Sequence, residues 1–209
     1  MRKVVLYFAL ALALCADGWK YEKSAGGAVA YTRSVPNSSF KEYKVETEVE
    51  ATLTQVVAVL MDVRDLPQWV DRCSEAAILK EISPTESITR TVTASPFPLK
   101  NREAISHGRL TQNPTTKVVV MESNGRFDYL PLNPKYERVH TVRGRWVLTP
   151  KPNGKVHIQM IGHTDPGGVI PGAIANQFVV MIPLNTIKNL RNQIKKEKYA
   201  RAKLKYIHE

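Results

Sequence analysis

Cysteine is scarce in this chain: Cys15 and Cys73 are the only two among 209 residues. A disulfide-stapled fold needs several cysteine pairs, so that class of small secreted scaffold is excluded. The paired Cys and His-x-x-x-His spacings of metal sites are missing, as are the phosphate-binding loop and the nucleophile elbow. The sequence therefore predicts no metal, no cofactor and no catalytic residue. Because no motif partners Cys73, we interpret it as a small buried apolar residue rather than a reactive thiol.

Long apolar runs are missing as well. The longest, Val4 to Leu14, has about 11 residues, whereas a membrane-spanning helix needs about 20. A short basic start precedes this run and small residues follow it at 16–18, which is typical of a secretory signal peptide. We therefore predict a signal peptide over residues 1–18 that is cleaved on export, and a periplasmic or secreted protein that begins at residue 19.

Acidic residues are few: 19 Asp and Glu stand against 30 Lys and Arg, which gives a formal net charge of +11. Such an excess favours contact with phosphates, either of nucleic acid or of anionic lipid head groups. Many of the basic residues lie between 188 and 205, and this run is interpreted either as a solvated tail or as a membrane contact. The candidate membrane contacts are Lys195, Lys196, Lys198 and Arg201. Because export separates the chain from nucleic acid, we expect no nucleic-acid partner, and we expect a monomer.

What is present is mainly a pattern of strands. Residues 40–49 alternate, with Tyr43 on the same side as three further β-forming residues and charged residues on the other side, as in a half-buried strand. Thr52 is expected to cap a short helix that ends near Asp62, because the apolar residues between them keep helical spacing. Residues 75–163 then form a run of antiparallel strands separated by turn residues.

A long helix closes the pattern. A turn rich in Gly and Pro at residues 165–171 precedes an amphipathic stretch that reaches Ile194. The predicted architecture is therefore a single α+β domain over residues 19–209, with residues 195–209 as a basic extension of the last helix. Pro183 lies inside this helix and implies either a static bend or a hinge.

Three segments resemble the START lipid-transfer domains, a family named for the steroidogenic acute regulatory protein. Trp69 to Lys80 is similar to the family's Trp-then-Glu segment, in which the Glu, here Glu75, begins a strand. Asn101 to Ile105 resembles the family's Pro-Arg-Asp-Phe-Val, with Arg102 on its Arg. Residues 165–176 resemble its Gly-Trp-Leu-Pro-x-x-Ile-x-Asn approach to the last helix. This resemblance implies a helix-grip fold, in which a curved antiparallel sheet and a long C-terminal helix enclose an apolar cavity.

The resemblance also implies a polar pair inside that cavity, formed by Glu75 and Arg102. A buried charge is costly unless it is paired, and a paired arginine still has donors for a ligand's hydroxyl, carboxylate or phosphate. The pair is therefore interpreted either as a ligand contact or as a salt bridge that only fixes the fold. The expected cavity residues are Glu75, Arg102, Trp146, Met160, Val169, Ile174, Phe178 and Ile182.

Strand alternation gives an independent reason to expect a cavity. If Arg102 faces inward, then Ala104, Ser106 and Gly108 face the same way, and their small side chains leave space unfilled. The expected function is that of an exported lipid-binding or lipid-transfer protein, not an enzyme, which sequesters one lipid, sterol-like or fatty-acyl molecule. The alternative is a helix-grip enzyme of the polyketide aromatase/cyclase type.

Overall fold

The computed structural model describes residues 18–170 and 172–209. The predicted signal peptide therefore lies outside the described residues, apart from Gly18. Within the described ranges, none of the helices combines the length and the apolar character that crossing a bilayer requires. The strands are β1 (Lys20–Ala25), β2 (Ala28–Arg33), β3 (Glu42–Glu50), β4 (Cys73–Ser83), β5 (Glu86–Thr93), β6 (Arg102–Gln112), β7 (Val119–Gly125), β8 (Glu137–Arg138), β9 (Thr141–Pro150) and β10 (Lys155–Asp165). The helices are α1 (Leu53–Met61), α2 (Leu66–Trp69), α3 (Gly172–Gln193) and α4 (Glu197–Ala200).

The strands form one curved sheet in the order β1-β2-β3-β10-β9-β7-β6-β5-β4. All neighbours along this path are antiparallel, and the two-residue β8 pairs in parallel with the start of β6. The last strand, β10, lies between β3 and β9, so the chain brings its early and late strands together. This is the predicted α+β arrangement of a sheet closed by a C-terminal helix.

Helix α1 begins where the sequence predicts. The Thr52 side chain accepts a hydrogen bond from the backbone N–H of Gln55, and the Gln55 side chain accepts one from the backbone N–H of Thr52, which completes a capping box. Five of its nine residues are buried in the main core. The predicted cap and the end of the helix at Asp62 are confirmed.

Helix α3 is held at one end more tightly than at the other. In its C-terminal half, Leu184, Ile187 and Leu190 are buried in the main core. Polar side chains add to this anchor: Asn189 Nδ2 donates to the backbone carbonyl of Trp69 at 2.9 Å. In the N-terminal half, the described side chains from 174 to 182 are half-buried or exposed. The first half of the helix therefore lies over the sheet without being sealed into it.

The predicted basic helix extension over residues 195–209 is wrong in its secondary structure. Helix α3 ends at Gln193, α4 has only four residues, and the tail then folds back against α1. The reason is that this segment also carries apolar side chains, and Tyr199 and Ile207 are buried in the main core. The Glu209 carboxylate finally accepts hydrogen bonds from the backbone N–H groups of Leu53 and Thr54, each at 2.9 Å.

Candidate ligand cavity

A cavity of about 270 Å³ lies between α3 and the sheet. Helix α3 contributes one stripe of side chains at helical spacing: Ala175, Phe178, Val179, Ile182, Pro183 and Thr186. The opposite wall comes from inward-facing residues of β3, β5, β6, β9 and β10 and from the loops that follow β2, α2, β5, β8 and β10. These residues are Phe40, Lys41, Tyr43, Val70, Asp71, Thr91, Thr93, Ser95, Arg102, Ala104, Val139, Val142, Met160, Thr164, Pro166 and Ile170. The wall is mainly apolar, and several of its polar side chains lie together, with Thr93 and Ser95 next to Arg102.

Arg102 is the buried cation of this cavity, with 6% of its surface exposed. Its Nη1 donates to the backbone carbonyl of Lys100 at 2.7 Å and to the hydroxyl of Ser95 at 3.2 Å. Its Nε is buried and has no hydrogen-bond partner among the residues that the structure describes. Burial lowers the pKa of the guanidinium, while the charge of Glu137 acts in the opposite direction. Among the described residues, no carboxylate oxygen lies within 4.0 Å of it.

The predicted pairing of Glu75 with Arg102 is wrong. Glu75 lies on the other face of the sheet, with 43% of its side chain exposed, and accepts a hydrogen bond from Arg90 Nη1 at 2.9 Å. The cause is a β-bulge at the start of β4. Cys73 pairs with Thr93, but after the bulge Glu75 pairs with Val92.

The bulge changes the face of Glu75 because side chains directly opposite each other in a sheet share a face. Regular pairing after Cys73 would set Glu75 opposite Thr91, whose side chain lines the cavity. The observed partner is Val92, which also pairs with Glu103, on the outer face. A register shift of one residue thus moves the Glu75 carboxylate out of the cavity.

On the outer face, Glu75 belongs to a charge network that sequence reasoning missed. Glu103 is buried between Arg90 and Arg138, and its Oε2 accepts from Arg138 Nη2 at 2.7 Å. Tyr136 donates its hydroxyl to Glu75 at 2.9 Å. Burial alone would raise the pKa of Glu103, but the hydrogen bonds from both arginines lower it. Strand alternation could have indicated this network, because Arg90 and Glu103 share a face opposite to that of Arg102.

The other predicted cavity residues fall into two groups. Met160, Phe178 and Ile182 line the cavity. Ile174 lies next to the lining stripe of α3, one residue before Ala175, and does not line it. Contact of any of these residues with a ligand stays a prediction.

The remaining two predicted cavity residues lie elsewhere. Val169 is 87% exposed, because it stands in the turn that begins with Gly167 and Gly168, both at positive φ. Trp146 is on the inward face of β9 but packs edge-to-face on Trp69, with the ring centroids 6.5 Å apart, so it supports the core rather than the cavity wall.

Tyr43 and a group of short polar side chains line the cavity but were not predicted as site residues. Burial raises the pKa of the Tyr43 phenol to about 12, so the hydroxyl is neutral at physiological pH. The alternation over residues 40–49 did place Tyr43 on the buried side of its strand. Nothing in the sequence indicated that Tyr43 would line the same cavity as Arg102, because β3 and β6 are far apart in the chain.

The comparisons with known proteins agree with this geometry. The model of the START domain family matches residues 5–198. The chain belongs to the START domain family. It is 32% identical over 181 residues to an uncharacterised protein of Pseudomonas aeruginosa. The match covers 87% of this chain and 89% of that protein.

Solved structures with the same fold include two lipid-transfer proteins. This START domain is similar to the STAR-related lipid transfer protein from Xanthomonas axonopodis, with a TM-score of 0.79, 31% identity and coverage of 86% of this chain and 100% of that chain. It shares the fold of human StAR-related lipid transfer protein 5, with a TM-score of 0.75, 19% identity and coverage of 86% and 88%. The predicted helix-grip fold is confirmed.

The basic tail of this START domain lies far from Arg102. Gln112 ends β6 and its side chain exchanges two hydrogen bonds with the backbone of His208, whereas Arg102 begins the same strand. Eleven residues of β-strand span about 35 Å. The tail therefore packs at one end of the sheet and the buried arginine lies at the other.

The four predicted membrane contacts differ in their surroundings. Lys198 Nζ lies 2.9 Å from Asp62 and 3.4 Å from Asp65, and Arg201 lies 2.8 Å from Glu197. The other two of these four residues, Lys195 and Lys196, are exposed and form no ion pair with any described residue. In the part of the chain that the structure describes, no three His, Cys, Asp or Glu side chains come together as a metal site would need.

Proposed function

We propose that this START domain is an exported, monomeric carrier that binds one apolar molecule beneath α3 and moves it through water. It belongs to a family that binds lipids or other hydrophobic ligands. The observation that carries the proposal is the cavity, whose walls are mainly apolar and whose polar side chains include a group around Arg102. Small-molecule sites generally have this composition, because apolar walls bind the body of the ligand and sparse polar groups orient it.

The packing of α3 supports a carrier rather than a permanently filled core. Its C-terminal half is anchored through Leu184, Ile187 and Leu190, while its N-terminal half covers the cavity with half-buried side chains such as Phe178 and Ile182. A segment with few buried apolar contacts opens at a low free-energy cost. The covering half of α3 can therefore admit and release a ligand while the anchored half keeps the fold intact.

Export and membrane contact belong to the same proposal. Export rests on the signal-like pattern of residues 1–18, and a periplasmic or secreted carrier must cross water between membranes. Contact with an anionic membrane is supported by the exposed Lys195 and Lys196, since each basic residue near an anionic surface contributes about 1 kcal/mol.

A transfer assay tests the carrier function. Donor vesicles hold a quenched pyrene-labelled fatty acid, acceptor vesicles hold none, and the gain of fluorescence reports transfer. We expect the protein to accelerate transfer and Ala104→Phe, which fills the cavity from β6, to abolish the acceleration while the variant keeps its thermal unfolding midpoint. Equal transfer by both proteins would contradict a carrier that uses this cavity. Recovery of a chemically changed fatty acid would instead favour the enzyme alternative.

A further inference from the structure

We propose that the cavity selects amphiphiles whose head group is an oxyanion, a carboxylate or a phosphate monoester, and that Arg102 is the residue that selects them. This inference rests on the proposed binding function and names the class of ligand. The observations behind it are the hydrogen bonds that Arg102 makes, the distance between Arg102 and each described carboxylate, and the size and lining of the cavity.

The hydrogen bonds of Arg102 leave one edge of the guanidinium unused. A guanidinium carries five N–H donors in a planar fork. The two bonds to Ser95 and Lys100 both come from Nη1. Nε is buried without a partner, and Nη2 has no hydrogen bond to any residue that the structure describes. Nε and Nη2 together form the edge that binds a carboxylate or a phosphate through two parallel hydrogen bonds.

In the part of the chain that the structure describes, no carboxylate neutralises this edge. Glu75 and Glu103 are held on the opposite face of the sheet by Arg90 and Arg138. Glu137 is the strand partner of Arg102 in the pairing of β8 with β6. Its carboxylate lies more than 4.0 Å from the guanidinium of Arg102.

Asp71 is the carboxylate that lines the same cavity. It accepts a hydrogen bond from Asn185 Nδ2 at 3.1 Å and, like Glu137, lies outside ion-pair distance of Arg102. The guanidinium of Arg102 is thus a buried cation whose counter-ion the described part of the protein does not supply.

A buried cation without a counter-ion is unfavourable, and a ligand that brings the counter-ion removes that cost. An uncharged head group, such as an alcohol or an ester, leaves the charge of Arg102 uncompensated and desolvated. Discrimination is strong in such a site, because the unsuitable ligand leaves buried polar groups unpaired. Oxyanions are therefore bound in preference to neutral ligands of the same length.

The rest of the cavity indicates the body of the ligand. Met160, Phe178 and Ile182 provide apolar walls. A volume of about 270 Å³ lies just below the range for small-molecule sites, about 300–1,000 Å³. Such a space suits a single apolar chain rather than the two chains of a phospholipid.

The test compares four probes with the same chain: laurate, lauryl phosphate, methyl laurate and lauryl alcohol. Binding is measured by titration calorimetry with the delipidated full-length protein. We expect the two oxyanions to bind about ten- to a hundredfold more tightly than the two neutral probes, as hydrogen bonds to a buried charge imply. Equal affinities for all four would overturn the inference while leaving the binding function intact. If none of the four probes binds, that result would instead count against the proposed function.

Two variants locate the selectivity. In Arg102→Met, the oxyanions should lose their advantage while lauryl alcohol binds at least as tightly as before.

Ser95→Asp places a carboxylate where the Ser95 hydroxyl meets Arg102 at 3.2 Å. This internal counter-ion should weaken the binding of laurate at least tenfold and leave the binding of lauryl alcohol unchanged. Ser83→Asp, at the exposed last residue of β4, is the matched control and should bind all four probes as the parent does. Retained oxyanion preference in a folded Ser95→Asp would contradict the role of Arg102.

Discussion

Tyr43 packs directly on Gly162, its partner across the β3–β10 pairing. A Cβ added to Gly162 would lie within 2.8 Å of Tyr43 Cε1, a separation that real side chains do not adopt. The glycine therefore makes room for the tyrosine ring, and the ring in turn forms part of the cavity wall. Gly162 shapes the cavity although it does not line it.

Gly162→Ala tests this relationship. Overpacking of this kind lowers the free energy of unfolding by about 1–3 kcal/mol, and we expect a loss in that range by urea denaturation. Gly108→Ala is the matched control, because a Cβ there meets only backbone oxygens at 3.9 Å and should cost nothing. Equal effects of the two substitutions would contradict the role of the Tyr43 contact.

Glu103 should govern the acid sensitivity of the fold. Its pKa in the folded protein is below its ordinary value of 4.5, so its contribution is fully present above that pH and is lost as the pH falls through the lower folded value. Glu103→Gln leaves the buried Arg138 without its carboxylate partner and removes one of the two carboxylates that Arg90 contacts, so it should cost about 3–5 kcal/mol at neutral pH. The variant should also show a smaller loss of unfolding free energy below pH 4.5 than the parent does.

Glu122→Gln serves as the control for that experiment. Its carboxylate lies 3.7 Å from Arg145, and both side chains are more than half exposed, so the substitution should change stability by less than about 1 kcal/mol. An unchanged acid profile in a folded Glu103→Gln would show that another carboxylate governs the acid transition.

Glu209 should stabilise α1 from the far end of the sequence. Burial raises the pKa of its carboxyl, but hydrogen bonds from Thr54 and Leu53 lower it, as expected for a carboxylate at a helix N-terminus. Glu209→Ala should therefore reduce the unfolding free energy by about 1 kcal/mol. Glu197→Ala is the comparison, because Glu197 is exposed and pairs with Arg201, which is exposed as well. Thermal unfolding should show a larger loss of stability for Glu209→Ala than for Glu197→Ala.

The two halves of α3 should differ in hydrogen exchange. Amides at 178–182 should exchange faster than those at 186–190, because Pro183 removes the backbone donor between the halves and the second half is buried in the core. Bound laurate should slow exchange in the first half and leave the second unchanged. Uniform protection along the helix would favour a static bend at Pro183 and exclude a covering half that opens.

Charge reversal tests membrane contact by the tail. Lys195→Glu combined with Lys196→Glu should weaken binding to vesicles rich in anionic lipid by roughly tenfold or more, since each cation contributes about 1 kcal/mol. Truncation is unsuitable, because Tyr199 and Ile207 are part of the core. Lys203→Glu combined with Lys205→Glu changes the net charge by the same amount and therefore serves as the comparison for a general effect of charge on vesicle binding. Unchanged vesicle binding by the first pair would contradict the proposed contact.

Local patterns were sufficient to predict much of the fold. The cap at Thr52 depends only on neighbouring residues. An Asn-Gly pair at residues 153–154 likewise favours a tight hairpin turn, and Gly154 has positive φ in the structure. Arg102 could be predicted to share a face with Ala104 because both stand on one regular strand. Features set by a strict period within one element were therefore readable from the sequence.

Features that depend on pairing between distant segments were not readable. The bulge after Cys73 decides which face Glu75 takes, and no residue type in that segment signals it. The burial of Tyr199 depends on α1, more than a hundred residues earlier, so the tail read as a helix surrounded by solvent. The first error concerns the cavity and the second concerns the tail, and both arise where elements distant in the sequence meet.

Native mass spectrometry of the protein purified without detergent is the most direct test of the central claim, that the space beneath α3 holds one apolar ligand. We expect one bound molecule per chain in the parent, released by organic solvent, and none in the folded Ala104→Phe variant. A parent protein that is empty and fails to take up laurate, or an Ala104→Phe variant that retains the same molecule, would contradict it.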